Sequence, residues 1–172
     1  MSEIESIHEL NADLFPPEEV ERFSNPVEAR KKAMDYLARR EYGRLELEQK
    51  LAAAGFAPVV VTAAVAKLMG EGLQDDRRFA ENFVQSRINQ GKGPLRIGQE
   101  LGERGLAASL VDAVLDDAAE DWIELARAVR HKKFGAGAPR DFKAKARQMR
   151  FLQYRGFESG QIQAAMQPHG DA

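Results

Sequence analysis

A three-fold internal repeat constrains this chain more than any other feature of its sequence. The segments Leu51-Ala-Ala-Ala-Gly55-Phe56, Leu101-Gly-Glu-Arg-Gly105-Leu106 and Leu152-Gln-Tyr-Arg-Gly156-Phe157 share the form Leu-x-x-x-Gly-apolar, with glycines 50 and 51 residues apart. An apolar residue follows each glycine six positions later (Val61, Val111, Ile162) and ten positions later (Val65, Leu115, Met166). Gly43-x-Leu45 matches Gly93-x-Leu95 at the same offset. A glycine in this setting is the left-handed residue just past a helix end. The leucine four before it and the apolar residue after it make the contact that commonly accompanies such a stop. The chain then returns as an antiparallel helix. Each unit of about three helices buries its apolar face by stacking on its neighbours.

The other punctuation agrees with helices almost throughout. Asn25-Pro26-Val27-Glu28 is a helix start, with Asn25 as cap, Pro26 in the first turn and Glu28 where a capping box needs it. Val59-Val60-Val61-Thr62 is the one β-like run, but Val61, Ala64, Val65 and Leu68 fall at helical spacing. Helices are expected at 26–41, 44–54, 58–69, 76–90, 94–104, 108–118, 120–134, 141–155 and 159–167, with Asp75 and Ser159 as caps. The expected fold is all-α: three tandem three-helix repeats (26–74, 75–119 and 120–172) forming an elongated, curved solenoid. Residues 1–25 read as an acidic flexible tail, broken at Pro16-Pro17, with a short amphipathic turn around Ile7 to Leu14.

The charges are segregated. The 172 residues carry a formal net charge of −2. Residues 1–28 hold eight acids against Arg22 alone. Residues 112–121 hold five acids and no base, and read as a solvated face. Residues 127–155 hold ten bases against Asp141 alone. Near-neutrality is thus a cancellation between opposed blocks. In helix 141–155, Phe142, Ala146, Met149 and Leu152 are the expected apolar seam, and Lys143, Arg147 and Arg150 form a basic stripe beside it. Arg127, Arg130 and Lys133 make a second stripe on the preceding helix, and Lys32, Arg39 and Arg40 a smaller one in the first repeat. Such stripes suit phosphate backbones or an acidic protein groove. They carry no base-reading signature, and no aromatic run is interleaved with them to stack single-stranded bases.

Little else suggests chemistry. The absence of cysteine excludes a disulfide scaffold, a thiolate zinc site and a cysteine nucleophile. His8, His131 and His169 lack partners at metal-ligand spacing. Gly91-Lys92-Gly93-Pro94 lacks the spaced first glycine and the following Ser/Thr of a phosphate loop, and reads as a turn between helices. The neighbours in Asp75-Asp76 and Asp116-Asp117 point to different helix faces, so neither pair is a compact acid/base site. Neither an enzyme nor a cofactor is expected. No apolar run is long enough for a membrane-spanning helix. The acidic first 20 residues do not resemble a secretory signal, so the expected location is the cytoplasm.

The middle repeat carries a more specific signal. Leu73-Gln-Asp75-Asp76-Arg-Arg78-Phe79-Ala80, followed by Arg87, Gly93, Ile97, Leu101 and Gly105-Leu106, resembles the RecX family of recombinase regulators. The resemblance runs from Ala29 to Met166, fits the third repeat through Arg155-Gly156-Phe157, and leaves residues 1–25 outside. It implies a non-enzymatic, all-helical protein that binds RecA, mainly in the groove of its filament on DNA. Such a protein suppresses filament growth, ATP hydrolysis, strand exchange and coprotease action. Direct contact with single- or double-stranded DNA and a monomeric state are further expectations. Within the motif, Asp75 is expected to cap its helix, Phe79 and Ala80 to pack inward, Arg87 to pair with an acid of a neighbouring repeat, and Gly93 and Gly105 to serve the turns. A sequence-independent DNA-binding repeat protein and a helical adaptor for an unrelated partner remain as alternatives.

Overall fold

The structure, a computed structural model, describes residues 16–118 and 120–168. These form ten α-helices and no strand. They are α1 (Pro17–Phe23), α2 (Pro26–Leu37), α3 (Arg44–Ala53), α4 (Pro58–Gly70), α5 (Asp76–Asn89), α6 (Pro94–Glu103), α7 (Ala108–Asp117), α8 (Trp122–Phe134), α9 (Phe142–Arg155) and α10 (Ser159–Met166). Proline occupies the first turn of α1, α2, α4 and α6, where its missing N–H costs no hydrogen bond. Asn25 caps α2 by accepting from the Val27 N–H at 2.9 Å. The Val59–Thr62 run lies within α4, whose buried residues are Val61, Ala64, Val65 and Leu68.

The repeated glycines end α3, α6 and α9 in one geometry. Gly55, Gly105 and Gly156 have φ of 103°, 81° and 95°. In each, the glycine N–H donates three residues back, to Ala52, Gly102 or Gln153. The next N–H donates to the leucine carbonyl five back, on Leu51, Leu101 or Leu152. This paired pattern satisfies carbonyls that a helix end leaves bare. The flanking pairs Leu51/Phe56, Leu101/Leu106 and Leu152/Phe157 are all buried.

The chain divides into two compact units, Met1–Phe79 and Ala80–Ala172, with the boundary inside α5. In the first unit α2 packs on α4 through the fully buried Ala29 and Ala33, over a core that includes Leu47, Leu51, Val65 and Leu68. In the second, α8, α9 and α10 enclose Ala126, Val129, Leu152, Phe157, Ile162 and Ala165.

Three expectations are corrected here. The cap of α10 is Glu158, in a capping box with Gln161, and Ser159 is the first residue of the helix. The reading of residues 1–25 as a tail does not hold for Pro17–Phe23, which is helical with Val20 buried. Phe23 meets Phe56 edge-on at 5.9 Å, and its carbonyl accepts the Ala57 N–H at the start of α4. Seven residues are too few to show a period, and this helix is held by tertiary contacts. The turn expected around Ile7 to Leu14 lies outside the described residues. The expected seam of α9 holds only in its C-terminal half: Met149 and Leu152 pack in the core with Phe151, Gln148 is buried beside them, and Phe142 is 84% exposed.

Candidate partner-binding surface

The Asp-Asp-x-Arg-Phe-Ala motif fastens the start of α5 to the first repeat. Asp75 Oδ1 accepts the Arg78 N–H at 3.1 Å and so caps α5. Asp76 turns the other way: its Oδ1 accepts the Arg44 N–H at 2.7 Å, capping α3, and the Gln74 side-chain amide at 2.9 Å. A carboxylate at a helix N-terminus satisfies an orphan donor and complements the helix dipole. Buried Gln74 also donates to the Tyr42 carbonyl, at 3.1 Å. Arg78 pairs with Glu41 at 2.6 Å and donates to the Gly72 and Leu73 carbonyls. Phe79 and Ala80 are buried, and the Phe79 ring lies against Gly43. Sequence reasoning missed Asp76 and Arg78, although both stand inside the motif.

Arg87 pairs not with a neighbouring repeat but with Glu100 of α6, within the same repeat. Arg87 Nε, Lys92 Nζ and Arg96 Nε lie 2.8, 2.7 and 3.3 Å from the Glu100 oxygens. Burial alone would raise the pKa of this carboxyl. The hydrogen bonds from Arg87 and Lys92 outweigh it and hold the group at about 2.

Gly93 and Gly156 lock α6 to the end of α9. The Gly93 N–H donates to the Arg155 carbonyl at 2.8 Å, and the Leu95 N–H donates to the Gly156 carbonyl at 3.0 Å. Two orphan donors of α6 are thus satisfied by the third repeat. Gly105 serves the turn after α6.

The basic residues separate into two kinds. Arg127 and Arg130 do not form a surface stripe. Arg130 is 4% exposed and donates to the Ala165 and Gly137 carbonyls; Arg127 donates to the Ala164 carbonyl and pairs with Glu124. Together they satisfy the last carbonyls of α10, where a cation also complements the dipole. Arg40 is held by both Glu46 oxygens and stacks on Tyr42 at 3.6 Å, and Lys32 sits over the Tyr36 ring. Arg39 and Lys133 are exposed. Lys143, Arg147 and Arg150 are exposed along α9, and none has an ion-pair partner among the described residues. The Arg147 guanidinium also lies over the Phe134 ring of α8, 5.7 Å from its centroid, so the stripe is exposed but reaches the flank of the neighbouring helix. Tyr154, 74% exposed, continues it at i+11 from Lys143. That spacing is readable in the sequence.

These features define a class: tandem three-helix-repeat proteins that spend part of their charge on locking repeats together and present the rest on an exposed helix face. Among the described residues no group of three or more His, Asp or Glu side chains is placed to hold a metal, and no helix is long and apolar enough to cross a membrane. Family models described as the first, second and third three-helix domains of RecX match residues 29–68, 75–115 and 119–166. The chain belongs to the RecX family. It is 52% identical over 133 residues to the regulatory protein RecX of Halorhodospira halophila, spanning 77% of this chain and 83% of that protein. It is 43% identical over 144 residues to the regulatory protein RecX of Pseudomonas fluorescens, spanning 84% and 93%. A crystal structure of regulatory protein RecX superposes with a TM-score of 0.71 at 25% identity, over 80% of this chain and 70% of that one. The crystal structure of RecX from Lactobacillus salivarius, at 20% identity, shares the fold with a TM-score of 0.71 over 82% and 94%.

Proposed function

We propose that this protein binds the RecA filament on DNA and restrains recombination by limiting filament growth, ATP hydrolysis and strand exchange. Membership of the RecX family, carried by three consecutive domain matches, is the observation on which this rests. The reading makes the protein a cytoplasmic, non-catalytic monomer that acts by binding. Purified protein added to RecA assembled on single-stranded DNA should slow ATP hydrolysis and shorten filaments at substoichiometric amounts. If hydrolysis and filament length both stay unchanged, the proposal fails.

The exposed cations of α9 supply the DNA-facing part of this reading. They also favour a second reading, in which the protein binds DNA without sequence preference and makes no RecA contact; a RecA pull-down separates the two. Replacing Lys143, Arg147 and Arg150 together with glutamine should leave helicity unchanged, because all three are exposed. Three lost phosphate contacts should lower the slope of log affinity against log salt by about 2 to 3. An unaltered slope would move the DNA-facing surface elsewhere.

A further inference from the structure

We infer that Tyr154, backed by Arg96, is a base-stacking platform that gives the α9 face a preference for single-stranded over duplex DNA. The inference rests on the DNA-facing reading of that face and deepens it. Lys143, Arg147, Arg150 and Tyr154 fall at i, i+4, i+7 and i+11 and so share one side of α9. The three cations span about 10 Å of helix axis, and the ring follows about 6 Å further along. A nucleic acid strand that lays its phosphates on the cations is thereby led to the tyrosine.

The ring is prepared for this use. It is 74% exposed, although burying an aromatic side chain is favourable and nearby Phe157 is buried. Arg96 lies over it with the guanidinium carbon 5.2 Å from the ring centroid. That guanidinium is itself fixed, by the Tyr154 carbonyl at 3.2 Å and Glu100 at 3.3 Å. Beside the ring is an open cleft of about 320 Å³, whose lining includes Gln99, Glu103 and Gln153. The Glu103 carboxylate there repels phosphate, and it and the glutamine amide oxygens can accept from the amino groups of bases. The surface therefore sorts the two halves of a nucleotide, with phosphate on the cationic stripe and base at the ring and cleft. In a duplex the base is stacked and its pairing edge is occupied, so only a splayed single strand uses the whole surface.

The experiment compares binding of a fluorescent, unstructured mixed-sequence oligonucleotide with binding of its duplex, at one salt concentration. Tyr154→Ala should weaken single-strand binding about 5- to 30-fold, with duplex affinity unchanged within about twofold. Tyr154→Phe, which keeps the ring, should retain single-strand affinity within about threefold. Equal loss on both DNAs, or an unchanged ratio, would overturn the platform. If the Lys143, Arg147 and Arg150 triple variant still weakens both, the DNA-facing reading survives that failure. A wild-type protein that binds neither DNA removes the reading and the platform together.

Discussion

Replacing Gly93 with alanine should destabilise the fold by about 3 to 5 kcal/mol. The expectation comes from packing, not from backbone strain. Gly93 has φ −84° and ψ 168°, which any residue adopts. A Cβ there, however, would sit 2.4 Å from the carbonyl carbon and oxygen of Gly156 and 2.5 Å from the Phe157 nitrogen. These are backbone atoms and cannot swing aside. Either α6 or the turn after α9 must move, breaking the hydrogen bonds from Gly93 to Arg155 and from Leu95 to Gly156. Two hydrogen bonds contribute about 1 kcal/mol each, and forced overpacking costs about 1 to 3 kcal/mol. For a domain of this size the midpoint should fall by about 10 °C, read by circular dichroism. Gly102→Ala is the control: nothing lies within 4 Å of its added Cβ, and alanine favours a helix interior. That variant should be more stable by about 0.5 to 1 kcal/mol. Matched behaviour of the two would show that the close approach at Gly93 carries no weight.

The same clamp shows what a sequence conveys and what it withholds. Gly43 and Gly93 occupy equivalent places in their repeats, and both precede the second helix of a repeat. The N-terminus at Gly43 is satisfied by the Asp76 carboxylate, the one at Gly93 by the carbonyls of Arg155 and Gly156. One register is thus served by two chemistries, and only the register is periodic. Helix identity and ends were legible because glycine, proline and cap residues act locally, and the three Leu-x-x-x-Gly-apolar stops act alike. Apolar periodicity finds Met149 and Leu152 in the α9 seam but adds the exposed Phe142 and passes over the buried Gln148, because it does not count polar residues. Arg127 and Arg130 resembled a binding stripe because charge in a sequence does not reveal whether a guanidinium faces water or a helix end. The Lys143, Arg147 and Arg150 stripe is exposed and forms no ion pair among the described residues; its one ring contact is Arg147 over Phe134.

Replacing Glu100 with glutamine should cost about 2 to 3 kcal/mol at neutral pH and flatten the acid limb of the stability profile. The carboxyl titrates at about 2 in the folded chain against an ordinary value of 4.5. A folded-state pKa below the unfolded one stabilises the protein above pH 4.5, and that contribution fades as pH falls from about 4.5 toward 2. The wild-type protein should therefore lose stability over this window by more than the glutamine variant does. Side-chain exposures of 15% for Glu100, 19% for Arg87 and 17% for Lys92 keep solvent screening modest. Glutamine leaves Arg87 and Lys92 desolvated and facing each other without the anion between them, which is why loss of the one acid exceeds the cost of an ordinary surface pair. Urea titrations of wild type and variant at neutral pH and near pH 3 test this; parallel losses in the two proteins would assign the acid sensitivity to other carboxylates. The variant also frees Arg96 from one of its two anchors. If Arg96 positions the Tyr154 ring, Glu100→Gln should weaken single-strand binding more than duplex binding while the chain is still fully folded, linking the charge cluster of the middle repeat to the outer face of the third.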